Sequence, residues 1–364
     1  MIENTYIHIP FCKSKCKYCS FVSYCNFKYV DYYFESLKKE INHYYKNEVQ
    51  KTIYIGGGTP SSIDLNKINE IIEMFQFYEN DCEITIEINP NDVCENYLQE
   101  LKNTKINRIS LGVQSFNEDI LKTIGRCHTG FEAINTIKKI NEAGFKNISL
   151  DFIYGLPNQT LATFKNDLEL AVKLDVTHIS LYGLKIDEGC YFYNHKPQNL
   201  ISEDEQSVYY NYAVSFLNKN GFNQYEISNF SKENYFSKHN INYWNCGSYY
   251  GFGAAGCGYD GKKIRYQNKT GLKKYIENPF EKEMEEVLTD EDRLYEAIIL
   301  GFRMVLGVDV KKINSQFNID FEKKYIKLLE KFKRYIKKNK YGNYYLTKDG
   351  FLLSNCILSE FCDD

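Results

Sequence analysis

A chain of 364 residues, 43% hydrophobic and 26% charged, can bury a large core and exceeds the usual single domain, so one large domain and a smaller one are expected. A formal charge of −3, with lysines matched by Asp and Glu, argues against a nucleic-acid footprint. No apolar run approaches the ~18 residues of a membrane span. No basic segment with an apolar follow-on opens the chain, so its twelve cysteines point to a reducing cytoplasm and to metal ligation, not disulfides.

In chain order, a short apolar strand from Tyr6 runs into a loop carrying Cys12, Cys16 and Cys19. Val30, Phe34, Leu37, Ile41 and Tyr44 form the stripe of a helix over 29–46. A second strand from Thr52 ends in Gly56, Gly57, Gly58 and Thr59, followed by a helix over 64–78. The third strand, 83–90, contains Glu87 and leads to a helix near 91–103. The fourth runs from Arg108 past Gln114, followed by a helix over 130–143 with a capping box, Thr129 and Glu132, and a stop at Gly144. The fifth, from Ile148, contains Asp151 and is backed by a helix over 161–174; the sixth starts at His178.

Six strands alternating with helices build a parallel sheet, and six units rather than eight predict an α/β partial (β/α)6 barrel over 1–200. Beyond it the rhythm breaks. A helix over 203–220, a strand at Gln224–Ser228 and loops across the aromatic, glycine-rich stretch 239–261 form an extension, 201–280. Residues 281–364 read as a small, mostly helical domain: helices from Thr289 and over 321–338, a hairpin at 342–350, and a last helix.

The spacing C-x3-C-x2-C lets a tight loop turn three thiolates to one point, as a cubane iron–sulfur cluster needs, leaving its fourth iron free. Zinc competes for the same thiolates, with His8 or Cys25 as a fourth ligand. Active sites of parallel barrels sit at the C-terminal strand ends. There this chain places the cysteines, Gly57, Gly58 and Thr59, Glu87, Gln114 and Asp151, and that shared rim favours the cluster. The stretch from Gly251 to Gly256 matches G-x-G-x-x-G, but the glycine-rich Cys257–Gly261 beyond it cannot open a helix, so a dinucleotide fold is rejected.

The Y-x-H-I-P-F-C opening and the cysteine spacing resemble the radical-SAM family, in particular the branch of oxygen-independent coproporphyrinogen III oxidases and HemW-type haem chaperones. The resemblance implies a [4Fe–4S] cluster on Cys12, Cys16 and Cys19. It also implies S-adenosylmethionine (SAM) contacts at Tyr6, Tyr18, Gly57, Gly58, Thr59, Glu87, Gln114, Arg126 and Asp151, and a winged-helix-like C-terminal domain. Arg126 suits a carboxylate because its guanidinium can pair in bidentate fashion.

Two departures separate the chain from the oxidases. Ser20 and Phe21 stand where these carry a fourth cysteine two residues after the third, and the longer arm before Tyr6 is missing. His239, Asn240, Tyr243 and Trp244 instead match the H-N-x-x-Y-W motif of the HemW type, implicated there in haem binding. His and Tyr can ligate haem iron, and Trp244, the chain's single tryptophan, offers a flat packing surface. The resemblance thus implies a cytoplasmic haem chaperone with a haem-acceptor protein and an electron donor as partners. A coproporphyrinogen oxidase and a zinc-stabilised interaction protein are the alternatives.

Overall fold

The computed structural model describes residues 1–362. Six parallel strands lie side by side in sequence order: β1 (Asn4–Ile9), β2 (Gln50–Gly57), β3 (Tyr78–Ile88), β4 (Arg108–Gln114), β5 (Asn147–Tyr154) and β6 (His178–Gly183). Helices α1 (Val30–Tyr44), α2 (Leu65–Glu73), α3 (Glu95–Lys102), α4 (Glu118–Thr123), α5 (Gly130–Glu142) and α6 (Leu161–Ala171) fill the crossovers.

Each strand alternates with period two, and the alternation decides which face is which. Ile7, Ile53, Ile55, Ile84, Ile86, Ile109 and Leu150 are fully buried with the inward stripes of the helices in one core. The residues between them, including Glu87, Ser110, Asp151 and Ser180, line a polar lumen. The sheet does not close. Beyond β6 it is extended antiparallel by β7 (Asn223–Gln224) and β8 (Asn229–Ser231), and beyond β1 in parallel by β9 (Tyr250–Phe252). The fold is therefore the open barrel expected from the sequence.

Several local expectations are corrected. The strand predicted at Gln224–Ser228 is broken, because the Glu226 carboxylate accepts the Ser228 amide at 3.1 Å and turns the chain between β7 and β8. The stretch 239–261 is not all loop: it holds a helix, Lys238–Trp244, and two short strands, Tyr250–Phe252 and Cys257–Tyr259. That helix forms because Ser237 caps it and the remote Glu83 carboxylate accepts the amides of Lys238 and His239, both at 3.2 Å. The second helix stops at Glu73 rather than 78, and β3 begins at Tyr78, where the polar Glu79, Asn80 and Asp81 hid it. At the far end, 321–338 is not one helix: Phe321–Lys324 and Ile326–Lys331 precede a strand, Ile336–Lys338. This strand pairs with Tyr344–Leu346, so the hairpin lies earlier than 342–350.

The G-x-G-x-x-G stretch packs β9 onto β1. A Cβ on Gly251 would lie 1.7 Å from the Cys257 carbonyl oxygen, and Gly253 donates its amide to the buried Glu40 at 2.9 Å. No helix among the described residues is long and apolar enough to cross a membrane.

Candidate functional site

The cysteine loop is an excursion from the end of β1 whose ends are tied together. The Cys12 amide donates to the Tyr24 carbonyl at 3.1 Å, and the Tyr24 amide donates to Pro10 at 2.8 Å. Its middle is pinned from two sides, with Lys17 N donating to Ile124 O and Phe192 N donating to Lys17 O, both at 3.0 Å. Lys13 adds a 2.6 Å ion pair to the buried Asp92. Cys12, Cys16 and Cys19 carry free thiols and line one cavity of about 380 Å³.

Among the described residues no three His, Cys, Asp or Glu side chains gather closely enough to hold a single metal ion. A cubane cluster takes its thiolates on three separate irons, so three thiols lining one cavity fit it without a fourth protein ligand. His8 is not free to serve as a zinc ligand. Its Nδ1 pairs with the Tyr6 hydroxyl at 3.0 Å and its Nε2 with the Val22 carbonyl at 2.9 Å. Around the thiols stand Thr59, whose Oγ1 is 3.3 Å from Cys12 Sγ, and Arg126, which donates from Nη1 to Cys16 Sγ at 3.6 Å. Burial pushes the Cys19 thiol up to about 11.

The glycines at the end of β2 act differently from a plain ligand cradle. A Cβ on Gly57 would lie 2.6 Å from the His8 ring, and one on Gly58 2.6 Å from Phe11 O. They bring β2 against the cysteine loop, and Gly57 takes a φ of +111°, open to glycine. The Gly57 amide and the Tyr54 hydroxyl donate to Glu87, at 3.1 and 2.8 Å. Burial raises Glu87 to about 7. Asp151, raised by burial as well, accepts from Ser110 at 2.9 Å. Gln114 sits at a φ of +66°, a strained conformation for a residue with a side chain, at the cavity wall.

Tyr18, Gly57, Gly58, Thr59, Glu87, Gln114, Arg126 and Asp151 are thus brought together with the cysteines around one cavity. Tyr6 is not among its lining residues; its hydroxyl faces His8 instead. Phe21 stands on the rim, 67% exposed. The H-N-x-x-Y-W residues divide. His239 is 1% exposed under the N-terminal strand ends, its Nδ1 2.6 Å from Thr52 Oγ1 and its Nε2 2.8 Å from the Tyr243 hydroxyl. Burial holds its imidazole neutral, down to about 3. Trp244 packs beneath Arg303 of the C-terminal helix Asp290–Arg303. Only Asn240 of the motif reaches the cavity. An iron ligand at His239 therefore requires the floor helix Lys238–Trp244 to leave its seat.

The rim argument missed Arg108, Ser110, Ser180, Tyr182 and Asn240, which line the lumen below. Strand parity would have found the first two, since Arg108 and Ser110 share a face of β4 with Gly112, which also lines the cavity.

Residues 6–171 match the family model of the radical SAM superfamily, and residues 288–353 that of the HemN C-terminal domain. The chain has an open radical-SAM barrel with its cysteine loop at the C-terminal strand ends, and membership implies SAM and a [4Fe–4S] cluster as cofactors. The whole chain is 37% identical to the haem chaperone HemW of Lactococcus lactis, covering 98% of that protein, and 99% of it is 34% identical to HemW of Bacillus subtilis, covering 99%. The chain belongs to the HemW family. Its fold matches coproporphyrinogen III oxidase (HemN) of Escherichia coli with a TM-score of 0.85, over 99% of this chain and 90% of that one at 21% identity.

Proposed function

We propose that this protein is a haem chaperone, which carries a [4Fe–4S] cluster, SAM and haem and passes the haem to an acceptor protein. The observation that carries the reading is the full-length identity to HemW proteins. Phe21 in place of a fourth cysteine supports it against the oxidase reading, for which the likeness to HemN speaks only through the fold.

In this reading Cys12, Cys16 and Cys19 hold the cluster. When bound and reduced, with electrons from a donor protein, the cluster supplies the electron that cleaves the SAM sulfonium. Arg126, whose Nε has no hydrogen-bond partner among the described residues, offers a guanidinium edge to the SAM carboxylate. Glu87, Asp151 and Gln114 present acceptors and an amide to the amino group and ribose hydroxyls, while Gly57, Gly58 and Thr59 hold the cysteine loop against them. Tyr18 walls the cavity, and Tyr6 acts from behind by fixing the His8 ring. Haem is assigned to the H-N-x-x-Y-W helix, with Tyr243 and Trp244 as packing surface and His239 as a neutral imidazole ligand once the helix moves.

Titration of the anaerobically reconstituted protein with hemin, followed by transfer to an apo-haemoprotein, tests the reading. A saturable Soret band that moves to the acceptor is expected, together with no protoporphyrinogen from coproporphyrinogen under the same conditions. Turnover of coproporphyrinogen without haem transfer would establish the oxidase instead.

A further inference from the structure

A second, open cleft of about 490 Å³ lies on the outer side of the cysteine loop, walled by Tyr24, Tyr29, Lys273, Lys274 and Glu283, and shares no lining residue with the cavity of the cysteines. Tyr24 connects the two. Its main chain closes the cysteine loop, accepting the Cys12 amide at 3.1 Å and donating to Pro10 O at 2.8 Å. Its side chain stands in the cleft wall, where the hydroxyl donates to Thr270 O at 2.8 Å and accepts the Leu272 amide at 3.2 Å. A single residue thus runs from the backbone of Cys12 to a face open to solvent.

The charge at this opening has one sign. Lys28, Lys273 and Lys274 are exposed, and the ammonium groups of the first two converge on Tyr29, 4.9 and 5.8 Å from its ring centre. None of the three pairs with a carboxylate among the described residues, although the neighbouring Lys269 and Lys282 do, with Glu281 and Glu40. Glu283, the carboxylate of the cleft wall, is turned to the Thr270 amide at 3.4 Å. In a chain of formal charge −3, three unpaired cations around one opening are a local excess. Such an excess steers an acidic surface to it and speeds association.

We propose that this face docks an acidic electron-transfer protein, with Lys28, Lys273 and Lys274 meeting its carboxylates and Tyr24 lying between its redox group and Cys12. The inference rests on the cluster reading above. On docking, one electron leaves the donor's reduced one-electron cofactor and enters the [4Fe–4S]2+ state held by Cys12, Cys16 and Cys19, giving [4Fe–4S]+; no bond forms and no proton moves. Because cleft and cavity share no lining residue, donor and SAM can be bound together.

The test mixes the reconstituted holoprotein with flavodoxin, an acidic one-electron donor, in wild type, Lys28→Glu, Lys273→Glu, the variant carrying both, and Lys340→Glu. Lys340, exposed beside Tyr341 on the C-terminal hairpin, controls for total charge. The rate of cluster reduction is read from the [4Fe–4S]+ EPR signal, and the affinity for oxidised flavodoxin from calorimetry. Expected is a loss of about tenfold or more in both for the double variant, a smaller loss for each single one, and none for Lys340→Glu. The salt dependence of the rate should flatten in the double variant. Dithionite, which needs no docking, should reduce all five proteins alike and so shows that each is folded and loaded. A double variant reduced and bound as well as wild type, or an equal loss in Lys340→Glu, would overturn the docking face and leave the cluster reading standing. The same holds if a wild type that dithionite reduces accepts electrons from neither flavodoxin nor an acidic ferredoxin. No [4Fe–4S]+ signal from wild type with dithionite would overturn the cluster reading, and the docking face with it.

Discussion

Arg126 Nη1 donates to Cys16 Sγ at 3.6 Å, while Nη2 of the same guanidinium donates to Asn89 and to the Gly112 carbonyl. One side chain thereby joins the cysteine loop to the ends of β3 and β4, and its Nε has no hydrogen-bond partner among the described residues.

Separating the two duties gives the first prediction. Cys16→Ala should abolish cluster assembly and leave the barrel folded, because Cys16 sits on the rim loop and the core strands do not depend on it. Arg126→Ala should still assemble a cluster and lose SAM affinity by about tenfold or more, the worth of a charge-assisted hydrogen bond. Iron content, circular dichroism and the change in the [4Fe–4S]+ EPR signal on adding SAM read the two variants. A full cluster in Cys16→Ala would defeat the ligand assignment.

Gly58 carries the second prediction. Its Cβ position lies 2.6 Å from Phe11 O and 2.8 Å from Phe11 N, both main-chain atoms of a fully buried residue. Gly58→Ala must push the strand before the cysteine loop away from β2 and weaken the bonds from Gly58 N to Ile9 O and from Thr59 N to Phe11 O. A cost of roughly 1–3 kcal/mol is expected from such overpacking. It should show as a lower melting temperature together with a lower iron content after reconstitution. Unchanged values of both would mean that the two segments can separate freely.

The buried Glu87 makes stability depend on pH in a stated direction. Its carboxyl is raised to about 7 in the folded state, so from the unfolded value near 4.5 up to about 7 the native chain holds a proton that the unfolded chain has lost. Its contribution is therefore lost as pH rises through that window, by on the order of 3 kcal/mol in total. Glu87→Gln, which keeps an acceptor for Tyr54 or Gly57 and does not titrate, should flatten this fall. Urea unfolding at a series of pH values checks it, and parallel curves for both proteins would show Glu87 ionised throughout.

Much of this arrangement is written locally. The strands repeat an apolar residue and a polar one, as in Ile84, Thr85, Ile86 and Glu87, and that period alone separates core from lumen. The cysteine spacing and the rim residues were legible for the same reason: each is a short-range pattern. The floor was not. The helix Lys238–Trp244 is short, polar and aromatic, and its amides are capped by Glu83, more than 150 residues earlier in the chain. No window of sequence contains that partner, so its stretch reads as loop. Tyr6 shows the converse: its strand is correctly placed, yet whether its hydroxyl meets a ligand or His8 depends on contacts made in space.

The floor helix supplies the last prediction. His239 has Thr52 on one ring nitrogen and Tyr243 on the other, so iron ligation must compete with both bonds. Its imidazole is neutral at any pH near seven, as an axial ligand should be. Thr52→Ala removes one competitor without touching the ring, and each neutral hydrogen bond is worth about 1 kcal/mol, so haem should bind several-fold more tightly. His239→Ala should shift the Soret band and weaken binding. Both variants lie at the floor and should leave the SAM-dependent change of the cluster's EPR signal in place, which separates loss of the ligand from loss of the fold. A Soret band unmoved in His239→Ala and an affinity unmoved in Thr52→Ala would place the iron ligand elsewhere and leave His239 as the buried joint between β2 and the floor helix.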